Sequence, residues 1–295
     1  MKITVFTPTY NRAYIIEKLY RSLQKQTYTN FEWLVIDDGS TDTTKEKFKL
    51  WAIEENPFPI RYYKVENGGK HRAINKATDL AKGELFFIVD SDDHLTEDAL
   101  ESIVKWEESL ENKELFCGIS GNRGKDKNEF WGTTFEGDYK DATSLERNKY
   151  KITGDKAEVF YTAILKGYKF QEFEGEKFMS EATVWDRMAY DGYKIRWFNK
   201  TIYICDYLED GLTSNMKEVF AKSPKGTACY IKQQIKFYQC GLKGRLANYN
   251  LYYNHVKSNI CLKEAAKYLE IQPLTLIWAI FLTNCKKFIL NRPWS

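Results

Sequence analysis

Phe86-Phe87-Ile88-Val89 runs directly into Asp90-Ser91-Asp92-Asp93-His94, so an apolar run ends in three carboxylates within four positions. Such carboxylates repel one another unless a cation or hydrogen-bond donors compensate them. Hard oxygen ligands of this kind suit Mg2+ or Mn2+, which also bridge to phosphate oxygens. The same residues suit a polar turn that caps the next helix, because Asp is common in turns. Both readings stand on the cluster alone. The apolar run itself reads as a buried strand, and open α/β sheets bind ligands just beyond the carboxyl ends of their strands.

Three more polar groups follow apolar runs in the same way. Ile3 to Thr7 reads as a strand stopped by Pro8 and followed by Thr9, Tyr10, Asn11 and Arg12, since proline cannot donate to a ladder. Glu32 to Ile36 ends in Asp37-Asp38-Gly39-Ser40-Thr41-Asp42, and Ile60 to Val65 leads to Asn67-Gly68-Gly69-Lys70. Between these strands, helical spacing of apolar residues predicts helices over 13–26, from a Thr43/Glu46 capping box to about Glu55, and over 70–82 with Gly83 as its C-cap. After the acidic cluster, Thr96 is placed to cap a helix, with Leu95 and Leu100 as a hydrophobic staple. Three strand–helix–strand crossovers in succession predict an α/β fold, Rossmann-like, with a mostly parallel sheet and helices on both faces. Beyond that, 117–150 reads as strands and long loops, 155–170 as a helix then a strand, 181–191 as a helix and 195–198 as a strand.

In a parallel sheet these strand ends line one edge, so their polar groups converge. Together they are complementary to a nucleoside diphosphate with a metal. The threonine hydroxyls and Tyr10 offer a surface for a base, a carboxylate accepts a base N–H, Gly68-Gly69 leaves room, and Lys70 supplies a cation beside the acidic cluster.

In order and spacing, P-T-Y-N-R, D-D-G-S-T-D, N-G-G-x-x-x-A-x-N and D-S-D-D resemble the signatures of family 2 glycosyltransferases with the GT-A fold. The resemblance covers residues 1–110 most fully, weakens towards 213 and is absent beyond. It implies transfer of a sugar from a nucleotide donor with inversion. It also implies that Thr7, Thr9 and Asp38 contact the donor base, with Tyr10 beside them and Lys70 towards ribose or phosphate. Asp90 and Asp92 would form the D-x-D pair on ribose and metal, Mn2+ or Mg2+, with Asp93 a further ligand. The general base of the family sits at a helix start in the second half, often as E-D. Glu181 takes that position here, and Ala182 replaces the second acid, leaving Asp186 as a fallback. Glu181 also suits a plain helix-start carboxylate favoured by the dipole. His71 and His94 read as polar neighbours of the site. The Q-x-x-R-W motif of processive members is missing around Arg196-Trp197, which favours single-sugar addition.

The chain is 43% hydrophobic and 16% aromatic, enough for a sizeable core and against disorder. Its charge is uneven. Residues 216–295 hold 13 Lys and Arg against three Glu, a net of +10, which leaves −7 for 1–215. A boundary is therefore expected near 215, between a catalytic domain and a basic, mainly helical region. That region interleaves lysines with aromatics, and Leu274 to Leu282 precedes Lys286, Lys287 and Arg292. It reads either as an amphipathic element on an anionic membrane surface or as a helical subdomain with solvated lysines. No recognition fold accompanies the charge, so nucleic acid is not the expected partner. Six scattered cysteines, no signal-peptide pattern and no apolar run of spanning length predict a cytoplasmic protein, at most peripheral on the inner membrane face.

The leading expectation is an inverting transferase using a UDP-sugar or similar donor and a glycan or polyprenyl-pyrophosphate-linked acceptor. A sugar-nucleotide pyrophosphorylase would want a glycine-rich phosphate loop after the first strand, and Pro8-Thr9-Tyr10-Asn11 is not one. A non-catalytic carbohydrate- or membrane-binding module would have no need of the intact acidic cluster and Glu181.

Overall fold

The computed structural model describes residues 1–205 and 216–290, with side chains to 283. Two compact units divide the chain, one of Met1–Lys169 with the segment from Met188, the other of Phe170–Arg187 with the C-terminal helices. The expected boundary near 215 lies at the edge of residues outside those described. The division also falls within one helix, α6.

The first unit opens with β1 (Ile3–Thr9), α1 (Glu17–Gln24), β2 (Phe31–Asp37), α2 (Thr44–Trp51), β3 (Ile60–Lys64), α3 (Lys70–Leu80) and β4 (Leu85–Ile88). The strands pair in parallel, with Thr9 beside Asp37, Asp37 beside Lys64 and Phe6 beside Ile88. Each ladder runs one bond further, because Asp38, Val65 and Val89 N–H donate to Thr9, Asp37 and Phe6 carbonyls. All three therefore stop at one edge. After β5 (His94–Leu95) and α4 (Ala99–Glu108), the sheet gains β6 (Phe116–Gly124), β7 (Tyr139–Ala142), β8 (Lys156–Tyr161) and β9 (Lys194–Ile204). Its order is β3-β2-β1-β4-β8-β6-β9-β5, with β7 also on β9. The β6–β9 pair is parallel, whereas β4–β8, β6–β8, β5–β9 and β7–β9 are antiparallel, so the full sheet is mixed.

Every residue of β2 is buried, as expected of a strand covered on both faces. Tyr20 of α1 and Trp51 of α2 stack at 4.3 Å, and Trp33 of β2 lies against both and Phe48. Each such fully buried large side chain contributes about 1.5–3 kcal/mol.

Local differences from the sequence reading have physical causes. Thr43 makes no capping bond; Asp42 does its work, accepting from Thr44 N–H at 3.0 Å and Thr44 Oγ1 at 2.6 Å. The helix after the acidic cluster starts only at Ala99, because His94 and Leu95 first pair with β9 and Thr96 N–H donates to Ile202. Gly83 is not the helix C-cap, which is Ala81. It is needed because a Cβ there would come within 2.2 Å of Thr4 N. Residues 155–170 hold a strand and then α5 (Thr162–Lys166), the reverse of the expected order.

The second unit contains the start of α6 (Ala182–Tyr190), then α7 (Met216–Lys222), α8 (Pro224–Phe237), α9 (Leu242–Val256), α10 (Leu262–Tyr268) and α11 (Pro273–Leu290). It has its own core of Ala228, Ile231, Tyr252, Val256, Ala265, Ala266, Leu269 and Leu276. The buried Glu176 carboxylate accepts from Lys225 and Gly226 N–H, both at 2.8 Å, at the positive end of α8. Much of the basic, aromatic stretch thus packs as a helical subdomain. Among the described residues no helix is long and apolar enough to cross a membrane.

Candidate active site

The loops after β1, β2 and β3 are bound to one another through side chains. Asn11 adopts φ 53, which Asn tolerates better than most residues. Its N–H donates to Ser40 Oγ at 2.8 Å, while its Oδ1 accepts from Thr41 N–H at 2.8 Å and Asp42 N–H at 3.3 Å. Asp42 Oδ2 returns the link by accepting from Ala13 N–H at 3.0 Å. Fully buried Asp37 accepts from Ser40 N–H at 2.7 Å and from the Tyr62 hydroxyl. Most of the D-D-G-S-T-D run is therefore occupied in shaping the loop.

Asp38 faces the next loop. Its Oδ1 accepts from Gly68 N–H at 2.7 Å, and its Oδ2 from Gly69 N–H at 2.8 Å and Asn67 Nδ2 at 3.2 Å. These bonds set the turn that starts α3 and places Lys70. Gly39 sits at φ +84, and a Cβ there would lie 2.9 Å from Asn67 N, so only glycine lets the two loops approach.

The first-strand residues divide. Thr7 is fully buried, and its Oγ1 accepts from Trp33 Nε1 at 3.0 Å. That makes it a core partner beneath the edge and leaves it no surface to offer a base. Thr9 is also buried, but its Oγ1 has no hydrogen-bond partner among the described residues. Such a group calls for a partner. Tyr10, the next residue, is 47% exposed.

At the end of β4 the three carboxylates are no longer equivalent. Lys70 Nζ lies 2.6 Å from Asp90 Oδ1, and Arg123 Nη1 lies 3.4 Å from Asp90 Oδ2. Burial works against the Asp90 anion, but Lys70 and then Arg123 outweigh it and hold its pKa below the usual range. Tyr203 Oη accepts from Asp90 N–H at 2.9 Å and donates to Asp93 Oδ2 at 2.7 Å. Burial and the Asp90 charge push Asp93 upward, against that hydrogen bond. Arg123 also lies 4.2 Å from the Tyr203 ring centroid, and its Nε donates to the Lys156 carbonyl at 2.9 Å. Asp92 is raised by burial and by Asp90, against its own backbone N–H and the charges of Arg12 and Lys70. Two of the three acids are thus matched by side-chain donors, and Asp92 is the one whose charge is left to be balanced.

That pattern decides what metal the residues fit. Among the described residues no group of three His, Cys, Asp or Glu side chains forms an all-protein cage. A cation held by one carboxylate and phosphate oxygens, the usual Mg2+ arrangement, fits Asp92. Asp93 has one oxygen engaged by Tyr203. His71 of α3 is buried, and His94 pairs in β5.

Glu181 stands just before α6, where its carbonyl accepts from Val184 N–H at 3.0 Å and Trp185 N–H at 3.2 Å. The fallback acid Asp186 is buried and accepts from Gln234 Nε2 of α8 at 2.8 Å, a packing role inside the second unit. Arg123 and Tyr203 were not singled out by the sequence. They are register partners on β6 and β9, and no local pattern marks either.

Residues 4–171 match the family described as Glycosyl transferase family 2. A GalNAc(5)-diNAcBac-PP-undecaprenol beta-1,3-glucosyltransferase from Campylobacter jejuni is 29% identical over 191 residues, 62% of this chain and 58% of that protein. The chondroitin synthase of Pasteurella multocida is 38% identical over 122 residues, 41% of this chain and 12% of that protein. The chain thus matches less than two thirds of these relatives' lengths. Among solved structures, S. aureus TarS in complex with UDP-GlcNAc superposes with a TM-score of 0.62 at 20% identity, over 95% of this chain and 89% of that one. Mannosyltransferase PcManGT from Pyrobaculum calidifontis, in complex with GDP-Man and Mn2+, gives 0.56 at 19% identity, over 96% and 75%. At these identities the likeness shows a shared fold.

Proposed function

The chain belongs to glycosyl transferase family 2, and from that premise we propose that it is an inverting, metal-dependent transferase. It moves one sugar from a nucleotide-diphospho-sugar, UDP-linked by preference, to a hydroxyl of a glycan or lipid-linked acceptor in cell-surface polysaccharide assembly. The observation that carries this reading is the sorting of the acidic cluster. Lys70 and Arg123 hold Asp90 as an oriented anion and Tyr203 engages Asp93, while burial and the Asp90 charge disfavour the Asp92 anion, the condition that a cation on a diphosphate would relieve.

In this reading Thr9 and Tyr10 meet the donor base. Asp38 acts mainly through the Gly68-Gly69 turn that it sets beside the base. Asp90 faces the ribose, and Asp92 would hold Mn2+ or Mg2+. When bound, the cation supplies neutralisation of the charge that gathers on the departing diphosphate. Glu181 takes the proton of the acceptor hydroxyl as its oxygen bonds to the anomeric carbon and the bond to the diphosphate oxygen breaks on the opposite face. The acceptor named for the Campylobacter relative, a diphospho-undecaprenol glycan, supports a lipid-linked acceptor. Work of that kind belongs in the cytoplasm against the inner face of the membrane, with the basic region after 216 towards anionic lipid.

The test is a panel of nucleotide sugars assayed for metal-dependent hydrolysis by the wild type and by Glu181→Gln. Loss of turnover by roughly 10²–10⁴-fold, with UDP affinity unchanged, is expected. A variant that turns over at the wild-type rate removes Glu181 from the base position. Metal-independent UDP binding with no turnover of any donor would leave a binding module.

A further inference from the structure

An amphipathic helix turns its apolar stripe inward and its polar residues out. Helix α11 does not. Leu276 and Ala279 are fully buried, and Leu276 and Ile280 join the core of the second unit. The opposite side carries Leu274 (68% exposed), Ile277 (46%), Trp278 (57%), Phe281 (57%) and Leu282 (43%). These fall at i, i+3, i+4, i+7 and i+8, the spacing of a core-facing stripe, on a face that meets none. The other exposed large apolar side chains among the described residues are scattered along the chain, whereas five of those sixteen lie within these nine positions. Scattered ones need no explanation, but a contiguous patch marks an interaction surface.

Charge and composition choose the occupant. No ionisable side chain other than Cys285 occurs from Pro273 to Cys285, and the sequence then gives Lys286, Lys287 and Arg292, at the end of a region with a net +10. A second copy of the chain would bring the same positive field to the contact, and like charges disfavour that pairing. An anionic bilayer meets both features, taking tryptophan, phenylalanine and leucine at the interface and attracting the lysines. A helix of 18 residues is about 27 Å long, and no described helix is apolar enough to span, so it lies in the surface. We propose that the Leu274–Leu282 face of α11 docks the protein on an anionic membrane. This deepens the proposed function by naming where the chain meets the membrane that holds a lipid-linked acceptor, and for that purpose it rests on that reading.

The test is flotation of the full chain with vesicles of phosphatidylcholine, alone or mixed with phosphatidylglycerol. The probes are wild type, Trp278→Ser/Phe281→Ser and Lys286→Glu/Lys287→Glu. The wild type should float with the anionic vesicles and far less with neutral ones. The double serine variant should lose at least about tenfold in apparent affinity, with unchanged melting and unchanged donor hydrolysis, because both side chains point away from the core. The glutamate variant should lose the preference for anionic lipid. Equal flotation of the serine variant and the wild type overturns the proposal. So does a wild type that does not float but forms a dimer which the serine variant dissolves. Flotation without any donor hydrolysis would sink the transferase reading and leave the docking face standing.

Discussion

Replacing Arg123 with methionine separates its structural links from its volume. The change removes an ion pair to Asp90 at 3.4 Å, a hydrogen bond to the Lys156 carbonyl at 2.9 Å and a guanidinium 4.2 Å from the Tyr203 ring centre. Hydrogen bonds to charged groups contribute about 1.5–3 kcal/mol, and a desolvated cation–π contact up to ~2 kcal/mol. The Arg123 side chain is only 14% exposed, so water compensates little. Lys70 remains on the other Asp90 oxygen at 2.6 Å, so the carboxylate is not stranded, which argues for the lower end of the sum. A loss of ~3 kcal/mol is expected, about 6–12 °C in Tm for a unit of this size. Thermal melting with and without UDP is the assay. The UDP-induced shift should also shrink, because Asp90 loses one of the two groups that orient it. Arg123→Lys should recover part of the stability and less of the UDP response, since an ammonium cannot form the guanidinium fork. An Arg123→Met protein that melts within about 2 °C of wild type and keeps its full UDP response would refute the account of how the acidic cluster is organised.

Gly39→Ala should destabilise by about 2 kcal/mol or more, read as a lower urea midpoint, because φ +84 and a Cβ 2.9 Å from Asn67 N together break the seam between two loops. Burial, aided by the Arg147 charge, lowers the pKa of Lys156 from 10.5 to about 8. The unfolded chain therefore binds the extra proton between those values, and stability attributable to this group rises with pH from 8 to 10.5, by ~3 kcal/mol. The difference in unfolding free energy between wild type and Lys156→Met should show that rise, and a pH-independent difference would contradict it.

The half of the fold that could be read from the sequence is the half built from local signals. The β1–β4 runs, the helices between them and the edge where they end followed from apolar period, glycine turns and strand stops. The antiparallel half was not legible in this way. Residues 155–170 are short and apolar enough to fit either element, and their order as β8 then α5 is decided by pairing with β4 and β6. The acidic cluster was visible as a cluster, but its division of labour depends on Arg123 and Tyr203, which reach it from strands far along the chain. Thr7 shows how a motif position can also hold a core partner. It matches a motif position, and the Trp33 indole of the adjacent strand β2 donates to its buried hydroxyl. Asp38 sits at a motif position that implies a base contact, and its oxygens also set the Gly68-Gly69 turn.

In the proposed function, Asp92 is the acid that balances a cation on a bound diphosphate. Calorimetric titration of UDP into wild type and Asp92→Asn, each with and without Mn2+, tests it most directly. Mn2+ should tighten UDP binding to the wild type, while Asp92→Asn keeps the metal-free affinity and loses the tightening. Equal tightening in both proteins, or no effect of Mn2+ on the wild type, would contradict the account.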